Sequence, residues 1–270
     1  MTFAAYAIHL AILVCIYFIL ALGLNLAVGF TGLLNLGHIA FFGISAYATA
    51  ILTTKGFPFW LGLLVGTILA TIAGALLALP TSRLKGDYLA LATLGFTFIM
   101  TAVSRNWQGL TRGALGIPGI PRIVVDNNQY LLIVFGLSVI LLAIVIWLIK
   151  SPFGRTIQAI RDDEIGAMVL GKNVFYYRIA SMSISAAIAG IAGFFFAHFI
   201  TFIDPTIFGL EDLILLFSII IVGGLASIRG TIIGTIILFL LPEPLRFIGF
   251  PSSVIGPARA ILFSLILLII

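Results

Sequence analysis

Long, continuous apolar runs dominate this chain, separated by short polar or glycine-rich breaks. They fall at about 3–28, 38–54, 58–80, 87–104, 129–149, 178–203, 211–227, 230–246 and 257–270. Most approach the roughly 20 residues that an α-helix needs to cross a hydrocarbon core. None shows the period-two alternation of a barrel strand. The pattern therefore predicts an all-α integral membrane protein, a polytopic bundle of about eight to nine transmembrane helices in a single domain over 1–270. The second and eighth runs are short or interrupted by glycine, which marks them as re-entrant candidates. The last run stops at Ile270 without the basic residues that usually close a final span, as expected of a chain trimmed there.

Two breaks in the apolar pattern are dense in glycine: GLNLAVGFTGLLNLGHIAFFGISAY (23–47) and GGLASIRGTIIG (223–234). Asn25, Thr31, Asn35, His38 and Ser45 fall in the first, at membrane depth. Hydrocarbon offers a polar group no partner, so each must find one in the protein. Two readings follow: a broken helix lining a path for a polar solute, or hydrogen bonds between helices that hold the bundle together. Paired interruptions in the two halves of a transporter often mark a pathway. The spacings differ, however (Gly32 to Gly37 against Gly224 to Gly230), so they only suggest an internal repeat.

One stretch breaks the pattern differently. Of 23 charged residues, 8 lie from Lys150 to Arg178, both ends counted, in and beside the loop 151–177. A helix is predicted from about Arg155 to Leu170, with a left-handed stop at Gly171. Ile157, Ile160, Ile165 and Met168 form a partial apolar stripe, and Arg161, Asp162, Asp163 and Glu164 cluster at the middle. Such a helix suits docking into a cleft of a soluble partner; the plainer alternative is a solvated connector. Docking is the stronger expectation, because an idle loop needs no helix with a defined stop.

Composition agrees: 62% of residues are hydrophobic and 9% charged, against roughly 25% charged in soluble domains. The net charge of +5 fits basic membrane loops and does not require nucleic acid. Placing 151–177 in the cytoplasm puts eight Lys and Arg inside and six outside, with the N-terminus out and the C-terminus in. Trp60, Trp107 and Trp147 lie near predicted span ends, as interfacial anchors do. Cys15 is the only cysteine, so no intrachain disulfide can form. The first run is too long for a signal peptide and lacks its basic region.

The loop 105–129 contains GLTRGALGIPGIP, whose four glycines and two prolines exclude a regular helix, with Arg112 and Arg122 as exposed donors. It reads as a connector or as a contact for a delivering protein on the outer face. Glu211 and Asp212 fit helix-dipole complements better than partner contacts, and Asp87 lies where a cap is expected. There is no phosphate-binding G-x-x-x-x-G-K-[ST] loop, and His9, His38 and His198 form no HExxH metal site. Few acidic residues occur within spans, which weakens an ion-coupled carrier.

Five blocks in order resemble the permease subunits of branched-chain amino acid ABC transporters, the LivM type more than the LivH type. They are 23–47, LKGDYLALATLGF (84–96), TRGALGIPGIP (111–121), IRDDEIGAMVLGKNV (160–174) and GGLASIRGTIIG with LPEPLR (223–234 and 241–246). Gly166, Ile228 and Arg229 depart from the usual pattern, and the family's basic tail is missing. The resemblance implies a multi-pass subunit of the bacterial or archaeal cytoplasmic (inner) membrane, with no catalytic site, metal or cofactor of its own. Its implied partners are a LivH-like second permease, two cytoplasmic ATPase subunits that use the ATP, and a periplasmic or lipid-anchored solute-binding protein. It further implies that Arg161, Asp162, Asp163, Glu164, Ala167 and Gly171 belong to an ATPase-docking motif on a cytoplasmic coupling helix. The competing expectation is a self-contained channel or ion-coupled secondary transporter.

Overall fold

The computed structural model describes residues 3–84 and 86–241, together with Ile261 and Leu265. The last predicted run, the LPEPLR block beyond Leu241, and Lys85, Arg246 and Arg259 lie outside the described residues. Five helices are long and apolar enough to cross a membrane: α1 (Phe3–Asn25), α3 (Phe59–Thr81), α4 (Asp87–Asn106), α6 (Asn127–Lys150) and α9 (Val174–Ile200). Two shorter apolar helices accompany them, α2 (His38–Thr54) and α11 (Ile228–Leu240). A further helix, α10 (Leu210–Gly223), packs against α11. The result is a mostly helical, multi-pass membrane architecture.

α9 is the most enclosed of the long helices and forms the axis of the bundle, with α1, α2 and α3 packed around it. Its sequence explains this. Ser181, Ser185, Gly190, Ala192 and Gly193 are small, and small residues allow helix backbones to approach where lipid gives no hydrophobic drive. The faces of α3, α4 and α6 that point away from the bundle carry exposed Leu, Ile and Phe, as lipid contact requires.

The first run continues through one wide π-helical turn, Leu26–Phe30, and then leaves helical geometry until α2 begins at His38. The break predicted in the first third is therefore a real interruption. At the other glycine-dense stretch, α10 and α11 meet at an extreme approach. A Cβ on Gly230 would collide with the Gly223 carbonyl oxygen, and one on Gly223 with the Gly230 carbonyl oxygen. Only glycine at both positions permits this contact. Ser227 caps α11, accepting from the Gly230 N–H at 3.0 Å.

Two expectations are corrected, and one loop gains detail. The helix predicted over 155–170 is two helices, α7 (Pro152–Asp162) and α8 (Glu164–Val169), because Asp163 is extended and caps α8 through the Gly166 N–H at 3.0 Å. The loop 105–129 is ordered: a single turn, α5 (Gln108–Thr111), and a 3-10 turn, Gly113–Leu115, lead to a two-residue strand. That strand, β1 (Ile117–Pro118), pairs antiparallel with β2 (Phe202–Ile203), and the Ile120 N–H donates to the Thr201 carbonyl at 3.2 Å. Finally, Gly86 and not Asp87 holds the cap position of α4.

Candidate functional site

Two regions carry the polar chemistry: the break after α1, and the α7–α8 segment that lies against it. The break exposes backbone groups inside the bundle, and these are satisfied in a consistent way. On α4, Thr93 and Thr97 lie one turn apart on one face. The Thr93 hydroxyl accepts from the Leu36 N–H at 2.9 Å, and the Thr97 hydroxyl donates to the Leu36 carbonyl at 2.9 Å. Irregular backbone at membrane depth persists only where protein supplies such partners. The pair was legible only as two threonines four apart in an apolar helix, a signal that says nothing of what they face.

The five predicted polar residues are all buried, and four of them reach another helix. Asn25 donates to the Thr231 hydroxyl at 2.7 Å and to the Ser227 carbonyl at 3.2 Å, while its amide oxygen accepts from the Ala226 N–H at 3.0 Å. It thus clasps α1 to the α10–α11 turn. Thr31 lies 2.5 Å from the Ser181 hydroxyl of α9. A His38 ring nitrogen, Nε2, lies 3.0 Å from the Leu20 carbonyl, and Nδ1 lies 3.3 Å from the Ser185 hydroxyl, which donates to the Gly23 carbonyl at 2.8 Å. Ser45 donates to the Gly190 carbonyl at 2.6 Å. Asn35 turns back on its own segment, accepting from the Gly37 N–H at 3.0 Å, and its buried Nδ2 has no partner among the described residues. Apart from Asn35, the five sit along the seams between α1, α2, α9 and α11.

At the α7 end of the bundle, Arg161 lies across the break. Its Nη1 donates to the Gly29 carbonyl at 3.0 Å, its Nη2 pairs with Asp162 at 2.8 Å, and its aliphatic stem lies against Gly32. Glu164 pairs with Arg178 at 3.1 Å, and Arg178 also donates to the Ser82 carbonyl at 2.7 Å. That joins α8, α9 and the end of α3. Ala167 is buried with Ile160 and Val174. Gly171 takes φ 77° and ends the segment, with the Lys172 N–H donating to the Ala167 carbonyl at 3.0 Å.

The predicted apolar stripe is divided between two environments. Ile157 and Ile160 are buried against the bundle, whereas Ile165 and Met168 face outward. Val169 and Leu170, which the stripe did not include, are the most exposed apolar residues of the segment at 82% and 79%. Of the predicted docking residues, Asp162 and Asp163 are exposed; Glu164 and Ala167 are committed inward, and Arg161 reaches in to Gly29 from an exposed position. At the opposite end, His198 Nδ1 donates to the Pro121 carbonyl at 2.6 Å and fixes the ordered loop. Asp212 accepts from the Tyr17 hydroxyl at 2.8 Å, a link between α1 and α10 that the dipole expectation missed.

A charged two-helix segment braced against a broken helix is set in a lipid-soluble bundle. Residues 6–270 match the family described as "Branched-chain amino acid transport system / permease component". The chain belongs to this family. It is 35% identical to the high-affinity branched-chain amino acid transport system permease protein LivM of Escherichia coli K12, over 88% of this chain and 63% of that protein. It is 24% identical to a probable LivM of Methanocaldococcus jannaschii, over 82% of this chain and 76% of that protein. A more distant family likeness is to the autoinducer 2 import system permease protein LsrC of Escherichia coli K12 / DH10B, 28% identical over 78% of this chain and 63% of that protein. The chain thus spans about two thirds of the length, or slightly less, of the LivM proteins of Escherichia coli and Salmonella typhimurium. No solved structure matches it.

Proposed function

We propose that this chain is the membrane-spanning permease subunit of an ATP-binding cassette importer, carrying branched-chain amino acids or related small polar solutes across a bacterial or archaeal cytoplasmic membrane. It crosses that membrane eight or nine times, pairs with a second permease, and receives solute from a binding protein outside. Two ATPase subunits hydrolyse the ATP and bind the cytoplasmic helices of the two permeases, on this chain α7–α8; this chain needs no catalytic group, because what it receives is motion. One observation carries the reading. The segment presents Ile165, Val169 and Leu170 outward while Arg161 reaches inward to the carbonyl of Gly29, at the end of the wide turn before the break. An apolar row on a charged, water-facing segment is the pattern of a docked helix, and the arginine gives a displacement of that segment a direct route to the break.

The test replaces only the outward row. Ile165→Asp/Leu170→Asp is expected to insert normally and to lose co-purification with the ATPase subunits, with uptake in cells falling at least tenfold. Uptake unchanged by the double variant would overturn the docking role. Charge reversal at Asp163 or Glu164 is a poorer test, since one caps α8 and the other holds Arg178.

A further inference from the structure

An open cleft of about 460 Å³ lies between the end of α3 and the junction of α8 with α9, and transport as proposed above does not use it. Three cations line it, Arg83, Lys172 and Arg178, against one carboxylate, Glu164. Glu164 is already engaged with Arg178 at 3.1 Å, whereas among the described residues neither Arg83 nor Lys172 has an ion-pair partner. The buried Nε of Arg178 also has no hydrogen-bond partner among the described residues. The 27-residue α9 starts here, with Asn173 capping it through the Tyr176 N–H at 3.1 Å, so the positive end of a long helix opens on the same space. Excess positive charge on two unpaired cations and the N-terminal end of a long helix together define a place for an anion.

Its position narrows the anion. α3 ends its apolar run at Thr81 and α9 starts its own at Val174, so the cleft sits at the level where spans meet water. Phe175 and Met168 stand partly exposed among its lining, giving it an apolar side beside the basic one. A free inorganic anion has no use for that side, whereas a glycerophosphate with its first acyl carbons matches both. Basic pockets between helix ends at this level take lipid head groups. We propose that this cleft binds the phosphate of an anionic membrane lipid, with Arg83 and Lys172 supplying the charge. The inference rests on membrane placement alone and survives or fails independently of ATPase docking.

The experiment uses the full chain purified in detergent and follows its thermal unfolding midpoint. Phosphatidylglycerol is expected to raise the midpoint in a saturable way, while phosphatidylcholine and inorganic phosphate leave it where it was. Arg83→Gln/Lys172→Gln should need at least tenfold more phosphatidylglycerol for the same rise, with its lipid-free midpoint unchanged. Removing two exposed cations at the opposite end, Lys55→Gln/Arg105→Gln, should leave the response as in the parent. Equal effects of phosphatidylcholine, or a normal response in the cleft variant, would overturn the proposal. An equal rise with inorganic phosphate would also overturn it, showing a free-anion site instead. Should the double variant fail to fold, Lys172→Gln alone must still weaken the response, and an undiminished one counts against the site.

Discussion

Asn25 shows what a single polar residue does inside a bundle that lipid surrounds. Its amide uses both donor and acceptor against Ala226, Ser227 and Thr231, so replacing it leaves buried backbone and hydroxyl groups without partners. A buried group left unpaired costs about 1–3 kcal/mol, and measured interhelical hydrogen bonds in membranes fall at the lower end of that scale. Asn25→Ala is therefore expected to lower unfolding free energy by about 1–2 kcal/mol, read from a denaturing-detergent titration. A loss below about 0.3 kcal/mol would mean that the clasp is not a stabilising contact. At this scale the sequence was partly legible. Asn25, Thr31, His38 and Ser45 announced themselves because uncommon polar residues in apolar runs need partners. Who those partners are was not legible, since Ser181, Ser185, Gly190 and Thr231 lie more than a hundred residues away.

Among the elements, the α10–α11 hairpin depends most on its lack of side chains. Gly223 and Gly230 bring two backbones into direct contact, and Gly234 does the same against the Ile219 carbonyl. Gly230→Ala forces the helices apart; overpacking of this kind costs about 1–3 kcal/mol. The expected result is a destabilisation of that size by the same titration, and a free energy within 0.5 kcal/mol of the parent would be incompatible with so close an approach. Long helices were legible from hydropathy because each spans the hydrocarbon by itself. The single helix expected over 155–170 failed for a local reason: Asp163 is a better cap than a helix-interior residue, and it starts a second helix in place of continuing the first. The β1–β2 pair could not be foreseen from either segment, because each contributes only two residues and neither is a strand without the other.

For the molecule as a whole, the three indoles mark two levels along the bundle. Trp60 and Trp107 mark one end of the bundle and Trp147 the other, all three exposed, as interfacial anchors are. The positive-inside expectation assigns the end that carries α7, α8 and the basic cleft to the cytoplasm. Orientation can be measured directly, because Cys15 is the only cysteine to remove. In a Cys15→Ser background, Val125→Cys should react with a membrane-impermeant maleimide in intact cells, and Val169→Cys only after permeabilisation. The reverse pattern would invert the predicted topology. Both side chains are among the most exposed of the described residues, and because Val169 lies in the proposed docking row, labelling is read in cells that lack the ATPase subunits.

The clasp at Asn25 also sets an order of events during synthesis. Its partners lie 201 to 206 residues further along the chain. At about 5–20 residues per second, the ribosome needs roughly 10–40 s to make them. For all of that time the Asn25 amide is without the partners that hold it in the folded bundle. The α10–α11 hairpin is therefore a late lock on the nascent bundle, and a chain interrupted before it is made leaves its opening segment without that clasp.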